Sequence, residues 1–300
     1  MLKVAWSKKY CHPLPENHRF PMIKYELLPQ QLLHEGTIEE DSLFEPRDAF
    51  DSEIICVHTE EYWRRLRGLD LTASEIRKTG FPLSKELVDR EINIAGGTIQ
   101  CVDFALKYGM AMNIAGGTHH AFSDRGEGFC LLNDQAIASM YLIENNLVDR
   151  VLVLDLDVHQ GNGSAEIFHD NDQVFTFSMH GEKNYPMHKE QSDLDIGLAD
   201  GCADELYLST LQYNLSKVVE SFKPEFVFYQ SGVDILSTDK LGRLDVTIEG
   251  CKERDRMVLQ YFKSRELPLV ACMGGGYSQE IKLIIESHAN TFRLAQEIYF

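Results

Sequence analysis

Residues 151–163, VLVLDLDVHQGNG, constrain the fold more than any other part of the chain. The first four residues are apolar, which is typical of a fully buried parallel strand. Asp155, Asp157 and His159 follow, and the last two share a face because side chains alternate along an extended chain. Carboxylate and imidazole ligands without thiolate suit a catalytic zinc or a similar divalent ion. A solvated acidic turn after a buried strand is the alternative that this segment leaves open.

The composition predicts an ordinary globular protein. The 300 residues are 44% hydrophobic and 25% charged, and we expect one domain covering residues 1–300. Residues 1–20 lack the continuous apolar stretch of a signal peptide, and no segment reaches the apolar length of a membrane span. The seven cysteines form no CxxC pair and fit reduced thiols, so we predict a cytoplasmic protein without a structural zinc cluster.

The net charge of −18 argues against binding to nucleic acid through its phosphates. The same charge would attract cationic substrates such as lysine-rich segments or polyamines. Solubility alone is the other explanation of an acidic chain. Nothing in the sequence indicates an oligomeric state.

Apolar runs alternate with amphipathic segments along the whole chain. The predicted strands are 3–6, 112–115, 151–156, 174–178, 226–230 and 269–273, and the predicted helices are 98–107, 134–144, 203–221, 248–263 and 279–295. This alternation predicts an α/β fold, with a mostly parallel sheet covered by helices on both faces.

Polar, glycine-bearing loops follow four of the predicted strands. These loops contain GGTHH, DLDVHQGNG, SGVD and GGGY, in chain order. Ligands in open α/β sheets bind beyond the carboxyl ends of the strands. The four loops therefore predict an active site at that edge of the sheet.

With these loops in place, the chain resembles the histone deacetylase family, which has the arginase/deacetylase fold. The resemblance runs nearly end to end and includes HPLPENHRFPMIKY, GGTHHA, GEGFCLLND, DLDVHQGNG, FSMHG, SGVD and GGGY in the family's order. The details are most similar to class IV histone deacetylases and their bacterial relatives.

The resemblance implies a metal site formed by Asp157, His159 and Asp234. Three protein ligands leave an open position for water and a substrate carbonyl, as a hydrolytic zinc site requires. Zinc is the expected ion, with Fe(II) as the alternative, because imidazole and carboxylate accept both. On its own, Asp234 could equally cap a helix or form a turn.

The resemblance also assigns the catalytic groups. His120 corresponds to the general base that later acts as general acid, and His119 to its electrostatic partner, which Asp155 holds. Tyr277 corresponds to the tyrosine that polarises the carbonyl and stabilises the oxyanion. Asn162 stands where class I members carry an aspartate, so we expect His120 to be less basic than beside a carboxylate.

Further residues are implied as the walls of an acyl-lysine tunnel. Phe129 would pack against the lysine stem. The other expected wall residues are Gly128, Tyr185, Leu241, Gly275 and Gly276. Arg19 resembles a buried arginine near an internal cavity through which the released carboxylate passes, and a surface arginine is the alternative.

An inner monovalent-cation site, expected to hold potassium, is implied as well. Its ligands would be the backbone carbonyls around Asp155, Asp157, His159 and Met179, together with the Ser178 hydroxyl.

Three other functions compete with this interpretation. A ureohydrolase with two manganese ions needs bridging carboxylates where this chain has Gly161 and Gly232. A phosphatase of the haloacid dehalogenase type would carry its paired aspartates after the first strand, whereas Asp155 and Asp157 lie at mid-chain. A non-catalytic acyl-lysine binder should have lost at least one of the implied groups, and all of them are present.

The resulting prediction is a metal-dependent hydrolase that removes an acyl group from the ε-amide of an acylated lysine, using metal-activated water. Its expected partner is an acylated lysine in a protein or peptide. The acyl group is either acetyl or a longer chain, and the resemblance to class IV members favours a longer chain. An acetylpolyamine or another small acylated amine is the alternative substrate.

Overall fold

Eight parallel strands form a single sheet in the computed structural model, which describes residues 1–300. The strands are β1 (Lys3–Ala5), β2 (Leu43–Phe44), β3 (Met110–Asn113), β4 (Val151–Asp155), β5 (Val174–Gly181), β6 (Leu194–Leu198), β7 (Phe226–Gln230) and β8 (Leu269–Cys272). Their order across the sheet is β2-β1-β3-β8-β7-β4-β5-β6, and every pairing is parallel. The predicted parallel α/β fold is confirmed.

Helices cover both faces of the sheet. They are α1 (Lys24–His34), α2 (Asp51–Ile55), α3 (Glu60–Arg67), α4 (Ala73–Thr79), α5 (Lys85–Tyr108), α6 (Asp134–Glu144), α7 (Asn162–Phe168), α8 (Asp204–Phe222), α9 (Ile248–Lys263) and α10 (Ile281–Tyr299), with 3₁₀ turns at Lys8–Tyr10 and Glu40–Ser42. Helix α5 packs on α6 and on the central strands, while α1, α8, α9 and α10 form a second connected group. No helix is long and apolar enough to cross a membrane.

Several predicted elements differ from the observed ones. The two outer strands β2 and β6 were not predicted, and neither were helices α1 to α4 and α7. The helix predicted at 98–107 is only the second half of α5, which begins at Lys85. The strand predicted at 112–115 is β3, which begins two residues earlier and ends at Asn113.

The register of the central strands brings the four polar loops together. Asp155 at the end of β4 pairs with Ser178 of β5 and with Gln230 of β7. Gln230 pairs with Cys272 of β8, which in turn pairs with Asn113 of β3. The five residues form one row across the sheet. The loops that follow β3, β4, β7 and β8 therefore start at the same level and meet at one edge.

Candidate active site

Asp157, His159 and Asp234 form a buried cluster with the geometry of a metal site. One ligand atom from each residue lies within 4.8 Å of the others. Nδ1 of His159 is 3.1 Å from Oδ1 of Asp157 and 3.2 Å from Oδ2 of Asp234. Asp157 and His159 follow β4, and Asp234 follows β7, the strand next to it. The predicted ligands are thus brought together by neighbouring strands.

Backbone amides fix the two carboxylates of this cluster. The amide of Gly275 donates to Oδ2 of Asp157 at 2.8 Å, and the amide of Val158 donates to Oδ1 of Asp234 at 2.9 Å. The other oxygen of each carboxylate faces His159. Oδ1 of Asp157 also accepts the amide of His159 at 3.0 Å. Backbone amides therefore orient both carboxylates, an arrangement that suits metal coordination.

The buried carboxylates of the cluster favour a cation at its centre. Burial and the nearby Asp157 raise the pKa of Asp234 to about 7. Burial opposes a charge on His159, but Asp157 and Asp234 outweigh this effect and raise the pKa of His159 to about 10. Two buried carboxylates thus stabilise one positive charge at this point. A divalent ion would supply that charge with His159 neutral, and the nitrogen and oxygen donors suit zinc or Fe(II).

His119 and His120 lie side by side above this cluster, with ring centroids 4.0 Å apart. Nδ1 of His119 is 2.6 Å from Oδ2 of Asp155, and Nδ1 of His120 is 2.6 Å from Oδ1 of Asn162. Burial lowers the pKa of His119, but Asp155 and Asp157 outweigh it and raise that pKa to about 9. The pKa of His120 is well below its ordinary value because of burial and the neighbouring His119 and His159. The pKa values of the two rings are therefore shifted in opposite directions.

The loop that carries the two histidines is held by buried hydrogen bonds. Asp134, the first residue of α6, accepts the amide of Thr118 at 2.8 Å and its hydroxyl at 2.7 Å. The side chain of Gln230 donates to the carbonyl of Gly117 at 2.7 Å. A Cβ atom on Gly117 would lie 1.9 Å from Oε1 of Gln230, and φ is +75° there, so only glycine fits.

Tyr277 approaches the cluster from the loop after β8. Its ring centroid lies 6.4 Å from that of His159, and its amide donates to Oδ2 of Asp239 at 2.6 Å. Burial and the carboxylates of Asp234 and Asp157 keep the pKa of its hydroxyl well above the ordinary value. The hydroxyl is therefore protonated at neutral pH and can donate a hydrogen bond.

An outer pocket of about 200 Å³ leads to these groups. Its lining consists of Arg19, Lys78, His120, Gly128, Phe129, His159, Tyr185, Leu241 and Tyr277. Four residues predicted for the tunnel wall are thus brought to one pocket. Asn184 donates to the carbonyl of Leu241 at 2.6 Å, which joins the two loops that carry Tyr185 and Leu241.

Gly275 and Gly276, the other two predicted wall residues, do not line the outer pocket. Gly275 contributes to a smaller inner space of about 30 Å³. A Cβ atom on Gly276 would contact Val233 and His288, so Gly276 packs on the protein interior instead.

The prediction that Arg19 is a buried arginine beside an inner cavity is wrong. Arg19 is exposed and lines the outer pocket. The inner space is lined by Arg90, which is 2% exposed and donates to the carbonyl of Tyr10 at 2.8 Å. Sequence reasoning missed Arg90 because it lies within a long helix, and missed Phe20 and Tyr25, which line the same space. Both aromatic residues belong to the HPLPENHRFPMIKY motif, which was the available signal.

The residues predicted for a potassium site lie on adjacent strand ends. Asp155 pairs with Ser178 across β4 and β5, and Met179 follows. The Ser178 hydroxyl is 3.0 Å from Nδ1 of His180. The potassium site stays a prediction.

The two glycines at 161 and 232 explain why a second metal cage is not built. A Cβ atom at Gly161 would lie 2.4 Å from Oδ2 of Asp155, and one at Gly232 would lie 2.3 Å from Oδ2 of Asp157. Neither position has room for a bridging carboxylate. This packing disfavours the two-manganese ureohydrolase.

The parallel sheet and the cluster at its carboxyl edge define a protein of the arginase/deacetylase fold. The chain belongs to the histone deacetylase family, because the family model described as "Histone deacetylase domain" matches residues 17–292. The predicted family is thereby confirmed.

Similar proteins agree with this assignment. An uncharacterized protein of Picosynechococcus is 41% identical over 296 residues, which is 99% of either chain. Histone deacetylase 2 of Arabidopsis thaliana is 30% identical, over 92% of this chain and 74% of that protein. The crystal structure of an HDAC homolog complexed with SAHA matches with a TM-score of 0.87 and 27% identity, over 99% of this chain and 84% of the other.

Proposed function

We propose that this protein is a metal-dependent deacylase that hydrolyses the amide of an acylated lysine side chain. The observation that carries the proposal is that three kinds of group line one pocket. His120 and Tyr277 face it together with His159 of the Asp157–His159–Asp234 cluster, and Phe129 forms its wall. This set provides a proton acceptor, a hydrogen-bond donor, a cation site and a wall for an alkyl stem.

The proposed reaction assigns a role to each side chain. Neutral His120 accepts a proton from the attacking water and then returns it to the leaving amine. The Tyr277 hydroxyl donates a hydrogen bond to the carbonyl oxygen as negative charge develops there. A divalent ion held by Asp157, His159 and Asp234 would supply Lewis-acid activation of the carbonyl and of water.

Two further residues orient the histidines. The Oδ1 atom of Asn162 accepts the Nδ1–H of His120, which leaves Nε2 of His120 free to accept a proton. Asp155 keeps His119 protonated, and this charge beside the reacting centre favours the oxyanion.

The inner space supports a short acyl group. It shares His120, Gly128, Phe129, His159 and Tyr277 with the outer pocket, so it lies beyond the same reacting centre. Its volume of about 30 Å³ has room for only a few water molecules. An acetyl methyl fits this space and a long alkyl chain does not. Acetyl-lysine is therefore the proposed substrate.

The single sheet supports one catalytic domain over residues 1–300. The potassium site and a cytoplasmic location stay predictions.

The test is hydrolysis of two matched lysine peptides, one acetylated and one myristoylated, with and without chelator. We expect turnover of the acetyl peptide, loss of turnover with chelator and recovery with zinc or Fe(II). Tyr277→Phe should lower kcat by about 10²-fold or more through loss of one oxyanion donor. Tyr213→Phe, which changes an exposed tyrosine on α8, is the matched control.

Two results would reject parts of this proposal. Faster hydrolysis of the myristoyl peptide would reject the short acyl group. Failure of protein with its full metal content to hydrolyse either peptide would reject the lysine deacylase.

A further inference from the structure

The rim of the outer pocket carries two positive charges, Arg19 and Lys78. They are the only Lys, Arg, Asp or Glu among the nine residues that line this pocket. The chain as a whole has a net charge of −18. Two cations and no carboxylate therefore line this pocket of an otherwise acidic protein.

Arg19 has no acidic partner. Its guanidinium lies over the Phe129 ring, 4.8 Å from the ring centroid, and no carboxylate approaches it within 4.0 Å. The side chain is exposed, while Phe129 beneath it is buried. Stacking on an aromatic face fixes the guanidinium plane and leaves its N–H groups free to bind an anion.

Lys78 is placed on the rim by the backbone of the pocket wall. The carbonyls of Lys78 and Thr79, at the end of α4, accept the amides of Gly128 and Phe129 at 3.0 and 2.7 Å. The Lys78 side chain is 57% exposed, and its ammonium is 3.7 Å from Glu127.

The carboxylate of Glu127 already accepts hydrogen bonds from other residues. Arg125 donates to it at 3.1 Å, and the Tyr185 hydroxyl donates at 2.8 Å. The 3.7 Å separation between the Lys78 ammonium and Glu127 exceeds hydrogen-bond distance, so the N–H groups of Lys78 remain available to a second anion.

His18 joins the two segments that carry these charges. Its Nε2 atom is 2.9 Å from the carbonyl oxygen of Gly80, two residues after Lys78, and its ring stacks on Phe81 with centroids 5.7 Å apart. Nδ1 of His18 accepts the amide of Phe20 at 3.2 Å. Arg19 lies between these two anchored residues, so both cations are held on one rim.

We propose that Arg19 and Lys78 select substrates that carry a carboxylate close to the acyl-lysine, and this inference rests on the proposed function. When the acyl group reaches His159 and Tyr277 and the alkyl stem passes Phe129, the lysine α-carbon lies at the rim. A carboxylate there belongs either to the lysine itself, as its free α-carboxylate, or to an adjacent acidic residue. In both cases a bidentate pair with Arg19 supplies the recognition.

The test compares kcat/KM for charged and neutral substrates of equal size. Nα,Nε-diacetyl-lysine is paired with its methylamide, and a blocked Asp-acetyl-lysine peptide is paired with its Asn counterpart. We expect the carboxylate member of at least one pair to be favoured about fivefold through KM, which is a typical size for an exposed charge pair. This preference should decrease in about 0.5 M salt because of screening.

Substitutions test whether Arg19 and Lys78 cause the preference for charged substrates. Arg19→Gln combined with Lys78→Gln should bring the charged-to-neutral ratio to about one. Arg77→Gln changes an exposed cation on the same helix that does not line the pocket, and it should leave the ratio unchanged.

The outcomes separate this inference from the proposed function. Preference in the diacetyl-lysine pair alone identifies the free α-carboxylate as the source, and preference in the peptide pair alone identifies an acidic neighbour. Chelator-sensitive turnover with equal kcat/KM for charged and neutral substrates overturns the inference and still supports the proposed deacylase. A preference that survives in the double variant also overturns it. Absence of turnover for all four substrates overturns both.

Discussion

Asn162 and His120 form a 2.6 Å hydrogen bond, while the adjacent His119 bonds a carboxylate, that of Asp155, at the same distance. The two neighbouring imidazoles thus differ mainly in the charge of their partners. The pKa values of the two rings are shifted in opposite directions. The pKa of His119 is raised to about 9, and that of His120 is well below its ordinary value. An amide at position 162 therefore favours a proton acceptor at His120.

Asn162→Asp should raise the pKa of His120. A carboxylate within hydrogen-bond distance favours the charged imidazole, typically by about one pKa unit or more. Because the proposed reaction needs neutral His120 as proton acceptor, the acid limb of the kcat/KM profile should move to higher pH by about that amount. The measurement is the pH dependence of acetyl-peptide hydrolysis. Asn145→Asp, at the exposed end of α6, adds the same charge elsewhere and should leave the limb in place.

Lys24 is fully buried and donates to the carbonyl of Gly274 at 3.1 Å, with its ammonium 5.5 Å from the centroid of the Tyr277 ring. Burial lowers the pKa of Lys24 to about 8, although Asp234 and Asp157 oppose this effect. The lysine therefore links α1 to the loop that positions Tyr277.

Lys24→Met should lower kcat more than it changes KM, because the loop that carries Tyr277 loses a hydrogen bond. Stability should change by no more than about 1–3 kcal/mol, since the cost of an unpaired carbonyl is offset by replacing a buried ammonium with an apolar side chain. Steady-state kinetics and thermal unfolding are the measurements. Lys107→Met, on the exposed end of α5, is the control. Unchanged kcat would show that the loop is held without Lys24.

The candidate site was more predictable from sequence than the surrounding helices. Asp157, His159 and Asp234 follow continuous apolar strands, and the carboxyl ends of neighbouring parallel strands meet in space. Local pattern and a general rule of topology therefore placed the loops that carry them at one edge of the sheet, and the family resemblance singled out these three residues as ligands.

The remaining elements depend on tertiary contacts that have no local signature. The first half of α5 contains Arg90 and Glu91, which are buried as an ion pair, so it lacks a simple apolar stripe. β6 is an edge strand with a largely exposed pattern. Arg19 was assigned to the interior because a motif fixes the order of residues, whereas burial depends on which segment packs against which. Here the neighbouring side chains of His18 and Phe20 contact Gly80 and Phe129, whereas the Arg19 side chain between them is exposed.

Arg254 connects α9 to the backbone just before Asp234. It is fully buried, pairs with Asp255 at 2.8 Å, and donates to the carbonyls of Gly232 at 2.6 Å and Ser231 at 3.3 Å. Arg254→Met should lower the free energy of unfolding by about 3–5 kcal/mol, because Asp255 is left as an uncompensated buried charge. Urea unfolding followed by circular dichroism measures this value. Arg265→Met, an exposed arginine after the same helix, should change it by less than about 0.5 kcal/mol.

Gly275 is the point where the backbone of the GGGY loop lies close to the carboxylates of both Asp157 and Asp234. A Cβ atom there would lie 1.9 Å from Oδ2 of Asp234 and 2.7 Å from Oδ2 of Asp157. Gly275→Ala should therefore push both carboxylates out of position and weaken zinc binding by about 10- to 100-fold, the usual effect of disturbing groups that orient metal ligands. Competition with a fluorescent zinc chelator measures the affinity.

Gly197→Ala provides the matched control for this substitution. Gly197 lies on the exposed edge strand β6, and its Cβ would meet only the Glu182 side chain at 3.3 Å. We expect this variant to bind zinc as the unaltered protein does. Wild-type zinc affinity in a folded Gly275→Ala variant would mean that Asp157 and Asp234 can rearrange without loss, and that the close approach of Gly275 does not determine their geometry. A fall in affinity confined to Gly275→Ala, with both variants folded, would assign the positioning of the carboxylates to this glycine.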